Sequence, residues 1–489
     1  MKKDRPEDRE NRPEIREWAE RLRRNRTPEP EPQAVRATQD AAWDAVQPGR
    51  PRWSPRRRLV LAVATLLVVA IAAVPLGFVL FRSTGLQEKL SMKVKVDPSM
   101  PLSSIGSASS IDPRYIASLQ SLGTQVLAGL AQKNPGKNQL LSPVSLSMAF
   151  SLCMAGAVGD TQEEMRRALQ YGDLAMPAIL SQNRLAYESL YRRGSDLIEV
   201  LIANSVWCLD GYPIQDPYLD TATKDFYSSV RSVSSTLGVD PVALMNQWVK
   251  KQTNGMIPKA IEQLDPRTVL VLIDAVYFHG DWAEPFNKLF TKATDFHRSD
   301  GTVVTPQTMF TGGDFQYRET PEAVSVVLPY FDGMAMVLTL PHQGGAFDAS
   351  QQSLVPGLLG WKDWESGRIS IALPKFNYSA TLPLDGIMQS LGMKKAYLKE
   401  EADFSAMSPV ALETQLHIGT AFQKTAIDLN EKGTVASAAT VIEMDAGGVF
   451  EPLMTLDFNR PFWYAIVDKQ GVPLFMGVVE DPTATEGAA

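Results

Sequence analysis

Hydrophobic and polar positions divide the 489-residue chain into three regimes. Residues 1–58 are charged and rich in arginine and proline. One amphipathic stretch, Glu14–Arg24, precedes the run TPEPEP, so the segment reads as a disordered tail with a single helical piece. Leu59–Phe81 then runs for 23 residues without a charge, LVLAVATLLVVAIAAVPLGFVLF. At about 1.5 Å per residue it spans a hydrocarbon layer of roughly 30 Å. Pro75 and Gly77 are tolerated in such a helix. The run is too long and too far from Met1 for a cleaved signal peptide. Residues 82–112, ending SSIGSASSID, read as a flexible stalk. No second linker follows, so 113–482 reads as one domain, with 483–489 as a C-terminal tail.

Within that domain the periodicity predicts helices at Tyr115–Gln132, Leu146–Gly156, Thr161–Leu169 (capped by Asp160 or Thr161) and Pro241–Gln252. It predicts strands at 199–208, 269–278, 324–329, 334–340, 369–376, 463–467 and 473–479. Helices dominate early and strands late, which indicates an α+β fold. A further strand-like run, Thr425–Leu429, leads into Glu431-Lys432-Gly433-Thr434. Only small or β-branched residues follow, from Val435 to Ile442. As a strand, this segment would put Thr434, Ala436, Ala438, Thr440, Ile442, Met444 and Ala446 on one face, and Glu443 and Asp445 on the other. A one-residue slip would bury both carboxylates, so the register is specified, and Gly447-Gly448 end the pattern. A surface segment of this composition is built to enter a sheet.

Composition narrows the functional classes. The hydrophobic content supports a sizeable core, and a net charge of −7 leaves no nucleic-acid footprint. Cys153 and Cys208 lie in apolar runs and read as buried thiols, a disulfide between them being the alternative outside the cell. His279, His297, His342 and His417 stand singly, and no metal-ligand spacing, nucleophile elbow, phosphate loop or CxxC pair occurs. Ser142, before a proline at a helix start, reads as an N-cap and not as a nucleophile. The chain therefore reads as no enzyme, with no cofactor and no metal. Arg50, Arg52, Arg56, Arg57 and Arg58 crowd the N-terminal flank of the apolar run, against Arg82 and Lys89 on the other. The positive-inside rule then makes 59–81 a single-pass signal anchor, with a cytoplasmic tail and an extracellular domain. An arginine-rich tail joined directly to one membrane helix suggests a bacterial plasma membrane.

Six segments together resemble the serpin family. NQLLSPVSLSMAFSLCMAGAVGDTQEEM (138–165) resembles its early helix region and ANSVWCLD (203–210) one of its strands. NQWVKKQTNGMIP (246–258) resembles its helix and turn, and VLIDAVYFHGDWAEPF (271–286) the strand that ends in a buried tryptophan, Trp282, at the region called the breach. AIDLNEKGTVASAAT (426–440) resembles the hinge of the reactive-centre loop, and DFNRPFWYAIVDKQGVPLFMGVVEDP (457–482) the C-terminal strands. The resemblance covers about 113–482. It implies three β-sheets, eight or nine helices and an exposed reactive-centre loop, here preceded by one transmembrane helix.

The resemblance also implies a mechanism. A serine protease cleaves the loop, becomes trapped as an acyl-enzyme, and is distorted when the loop inserts into the main sheet. The catalytic triad belongs to the target. The hinge residues carried over are Glu431, Gly433, Thr434, Ala436, Ser437, Ala438, Ala439 and Thr440, with Val435 departing from the acid common in the family. In the shutter region, Ser142 and Ser145 match the family's serines. Its asparagine and histidine are replaced by Asp274 and Gln423, a pair able to keep one hydrogen bond. Counting from Gly433 puts the residue before the scissile bond at Gly447, and counting back from Pro461 puts it at Phe450, so Gly447, Gly448, Val449 and Phe450 are the candidates. These suit a serine protease with a small or hydrophobic specificity pocket. The expected partners are that protease and the membrane, and the expected state is a monomer. A non-inhibitory binding module on the same fold and a cross-class inhibitor of cysteine proteases are the competing readings.

Overall fold

The structure is a computed structural model that describes residues 110–486 apart from 192–196, 210–212, 234–239, 254, 256, 258, 266–267, 344–359 and 435–451. The expected tail 1–58, the apolar run 59–81 and most of the stalk lie outside the described residues, as do hinge residues Ala436, Ser437, Ala438, Ala439 and Thr440 and candidates Gly447, Gly448, Val449 and Phe450. None of the described helices is long and apolar enough to cross a membrane.

The described helices are α1 (Pro113–Lys133), α2 (Pro143–Met154), α3 (Gly159–Ala168), α4 (Met176–Leu190), α5 (Asp216–Phe226), α6 (Pro241–Gln252) and α7 (Asp385–Ser390). The strands are β1 (Gln139–Leu141), β2 (Ile198–Leu209), β3 (Ser229–Val233), β4 (Leu270–Asp281), β5 (Lys292–Ala293), β6 (Phe296–His297), β7 (Val303–Val304), β8 (Gln307–Glu319), β9 (Ala323–Pro329), β10 (Ala335–Pro341), β11 (Glu365–Pro374), β12 (Phe376–Pro383), β13 (Thr420–Asn430), β14 (Gly433–Thr434), β15 (Met454–Asp457), β16 (Phe462–Val467) and β17 (Pro473–Val479). They form three sheets: a nine-stranded one ordered β1-β17-β16-β10-β9-β8-β11-β15 with β5 on β8, a six-stranded one ordered β12-β13-β14-β4-β2-β3, and the pair β6-β7. The α+β class and three sheets are as expected, and the described residues hold seven α-helices against the expected eight or nine.

The centre of the six-stranded sheet, β2 and most of β4, is buried on both faces, while β12 alternates buried with partly exposed positions. Helix α2 carries no charged residue and its serines find buried partners, so it has no solvent face to offer and is buried along its whole length. Its N-cap Ser142 and its Ser145 reach β13 and β4. The opposite face packs Trp207, Val271, Ile273 and Phe422 against Leu244, Trp248 and Val249 of α6.

Local differences from the sequence reading have specific causes. The strand expected at 369–376 is two strands, because Pro374 closes β11 and Lys375 passes the chain to β12 in the other sheet. Thr161 does not cap α3: the helix begins at Gly159, and the Thr161 hydroxyl accepts the Asp403 N–H at 3.0 Å. The expected stalk ends earlier than 112, since Ile111 is buried and Asp112 caps α1 by accepting from Arg114 N at 2.8 Å. At the other end, Glu486 bridges Ser379 of β12. Cys153 and Cys208 are free thiols, both buried.

Candidate functional site

The seam between β4 and β13 is the unusual feature of the six-stranded sheet. The two strands pair in parallel from Val271/Thr420 to Val276/Thr425. Above that, among the described residues, no strand joins Tyr277–His279 to Ala426–Asp428. At the top the chain doubles back as β14. There Gly433 pairs with Asp281 on one side and Asn430 on the other, and Thr434 pairs with Gly280 and Leu429. The start of the predicted hinge therefore already lies in the sheet as a strand antiparallel to both neighbours.

Each residue type at this point has a physical reason. Gly433 has φ 153°, and a Cβ there would stand 2.0 Å from the Gly280 carbonyl oxygen, so only glycine lets the backbones approach. Thr434 is 1% exposed, and its hydroxyl is 2.7 Å from that of Tyr330. Tyr330 stacks on Trp282 with ring centroids 4.3 Å apart. Trp282 in turn clamps the turn before β14: its backbone N–H donates to Lys432 O at 2.7 Å, and its indole N–H donates to Asn430 O at 3.1 Å. Glu431 is held by Lys375 Nζ at 3.0 Å and by the Thr291 hydroxyl at 2.9 Å. Burial opposes its charge, but its own backbone N–H, Lys375 and Thr291 together keep the carboxyl below the usual glutamate range.

Lower on the seam the structure brings the four predicted shutter residues together. Gln423 lies directly across from Asp274, and both are buried. The Gln423 amide donates to Asp274 Oδ2 at 2.5 Å and to Ser142 O at 3.0 Å, and its oxygen accepts from Ser142 N at 2.7 Å. The Ser145 hydroxyl donates to Asp274 Oδ1. Burial pushes the Asp274 carboxyl up to about 7, although the bonds from Ser145 and Gln423 work the other way. Asp274 is 1% exposed, so its carboxyl is shut off from water.

Residues 117–482 match the family described as Serpin (serine protease inhibitor). The chain belongs to the serpin family. An uncharacterized serpin-like protein of Thermococcus kodakarensis is 31% identical over 356 residues, covering 71% of this chain and 81% of its own length. Plasminogen activator inhibitor 1 of Neovison vison is 28% identical, covering 74% of this chain and 91% of its own. Among solved structures, the thermophilic serpin Tengpin in its native state superposes with a TM-score of 0.67 at 26% identity, covering 77% of this chain and 96% of its own. Relatives of this serpin domain thus include a protein named as an inhibitor of plasminogen activator.

Sequence reasoning missed four residues of the site. Asn204 on β2 lies opposite Asp274, with its amide oxygen 3.3 Å from the Ser145 hydroxyl. Tyr330, Thr291 and Lys375 complete the upper cluster. Asn204 stands inside the ANSVWCLD segment and was within reach. The other three come from a β-bridge, a turn and a strand junction far from the hinge in sequence, with no local signal to tie them to it.

Proposed function

We propose that this protein is a membrane-anchored suicide inhibitor of serine proteases, acting by cleavage of its reactive loop, trapping of the acyl-enzyme and insertion of the loop into the six-stranded sheet. The observation that carries the reading is β14: two hinge residues already stand between β13 and β4, above a stretch where, among the described residues, neither strand has a partner across the seam. Continuing that register downward, Val435–Ser437 would face Tyr277–His279 and Ala426–Asp428 without disturbing any pair. Ala438–Glu443 would then replace the β4–β13 ladder one for one. In that register Thr440 falls between Asp274 and Gln423. Inserting a strand moves its neighbours apart by about 4.8 Å, so the Asp274–Gln423 bond must break. The Thr440 hydroxyl, on the same face, could donate to the carboxylate and accept from the amide. The shutter pair thus acts as a latch on the closed sheet and is re-satisfied by the inserted strand.

The target is a protease with a small or hydrophobic pocket, because the candidates Gly447, Gly448, Val449 and Phe450 include no basic residue. In this reading the protein is a monomer that crosses a bacterial plasma membrane once through residues 59–81, with 1–58 cytoplasmic and the serpin domain outside. The uncharged run and its arginine-rich N-terminal flank support this placement. The decisive experiment incubates the full chain with elastase, chymotrypsin and trypsin and resolves the products on denaturing gels. A covalent complex with elastase or chymotrypsin is expected. Clean loop cleavage with no complex in any case would assign the chain to the non-inhibitory members of the fold.

A further inference from the structure

The front of β12 and β13 carries a cavity of about 570 Å³ that the loop-insertion reading does not use. Its outer wall is the segment Lys259–Asp265 that follows α6, and its floor is Thr381, Thr420, Phe422 and Lys424. That volume is in the range that accommodates small ligands. One wall is apolar: Phe422 is buried, and Ile261 and Leu264 pack against the same cluster as Phe422 and Trp248. The acids of the lining, Glu262 and Asp265, are exposed at the rim, and Glu262 is paired with Lys259 at 3.1 Å. Lys424 differs from them. Its ammonium is half-buried and donates to the Thr381 hydroxyl at 2.6 Å, and it makes no ion pair among the described residues. Burial pushes its pKa down, with Glu486 only partly opposing.

We propose that this cavity binds a singly charged amphipathic anion, with a carboxylate on Lys424 and an apolar body along Phe422, Ile261 and Leu264. The ammonium has donors left over after its bond to Thr381, and an incoming carboxylate would neutralise it where water is partly excluded. The described lining holds no arginine and no helix N-terminus, so a phosphate dianion would find too few donors. The flat aromatic and aliphatic side chains beside the charge select a body that is apolar over most of its length.

The cavity also has a mechanical position. One wall leads through Thr268 into β4, and the other is the part of β13 that pairs with β4. Under the function proposed above, an occupied cavity would brace the seam and slow loop insertion. The binding assay stands apart from that reading, so either can fail alone.

The test uses the full chain, with 4-phenylbutyrate as the probe and 4-phenylbutyramide as its uncharged counterpart, read by thermal shift and by titration calorimetry. The carboxylate should bind saturably and at least ~10-fold more tightly than the amide, a difference of about 1.4 kcal/mol. Lys424→Met should erase that preference. Thr381→Val removes the ammonium's hydroxyl acceptor and leaves the lysine free, so carboxylate binding should be kept or tightened. The proposal is overturned by equal binding of acid and amide, by a preference that survives Lys424→Met, by loss of binding in Thr381→Val, or by no binding at all.

Discussion

Thr434 and Asp274 show how single side chains hold this sheet in its present form. Thr434 is small enough to sit buried against Tyr330, with its hydroxyl matched. An arginine there would have to desolvate its charge next to two aromatic rings, which is costly. Thr434→Arg should keep the loop out of the sheet and turn inhibitor into substrate; covalent complexes at wild-type yield from this variant would sink the insertion reading. Asp274 sets a pH dependence. Its folded pKa, at about 7, lies above the value of roughly 3.9 expected when unfolded. Across that window the folded chain holds one more proton, so stability is full below about pH 4, falls as pH rises through 7, and is level above. The groups facing Asp274 are Ser145 of α2, Asn204 of β2 and Gln423 of β13, none of them charged. The melting temperature of wild type minus that of Asp274→Asn should therefore fall between pH 5 and pH 8; a flat difference would mean that the carboxyl titrates normally. Replacing Asp274 or Gln423 alone should cost roughly 1–3 kcal/mol by stranding a buried polar partner. Asp274→Asn with Gln423→His should cost less than the sum, and strictly additive effects in the double-mutant cycle would show that the two side chains are not coupled.

At the scale of elements, β14 is the informative piece, because two residues cannot hold a place in a sheet by themselves. Its backbone bonds to β13 and β4 are reinforced by the Trp282 clamp and by the Lys375–Glu431 pair. Lys375 stands where β11 hands over to β12, so one lysine ties the hinge to both large sheets. The β4–β13 ladder below is parallel and only six residue pairs long. An inserted strand would exchange it for two antiparallel ladders, which are better aligned and twice as many. Nicking the loop should therefore raise the melting temperature by well over ten degrees. A melting curve unchanged after complete nicking would mean that the loop does not enter the sheet.

At the scale of the molecule, Thr434 lies in the six-stranded sheet, and the next described strand, β15, lies in the nine-stranded sheet. Whatever cleaves the loop must act between those points, and no lysine or arginine lies between Gly433 and Arg460. Mass spectrometry of the fragment released from a stalled complex should place the cut between Asp445 and Glu451. Efficient inhibition of trypsin, or a cut outside that interval, would overturn the specificity assigned here.

Much of this protein was legible in the chain itself. α6 begins and ends where its periodicity puts it, and β17 matches its expected range residue for residue, because an amphipathic helix and an apolar strand are local patterns. The small-residue run after Gly433 marked a candidate hinge that lies outside the described residues from Val435 on, and Asp274 and Gln423 were paired by motif position alone. Other features had no local signature. The Pro374–Lys375 junction reads as one strand until two sheets compete for it. Thr161 is a good cap by type, yet its hydroxyl is taken by Asp403, some 240 residues away. The strand identity of β14, the ionisation of Asp274 and the cavity around Lys424 depend on which segments approach across the seam. Composition and periodicity determine which face of an element is buried; only the packed sheet decides which buried groups meet, and so which of them are bonded, strained or displaced from their usual pKa.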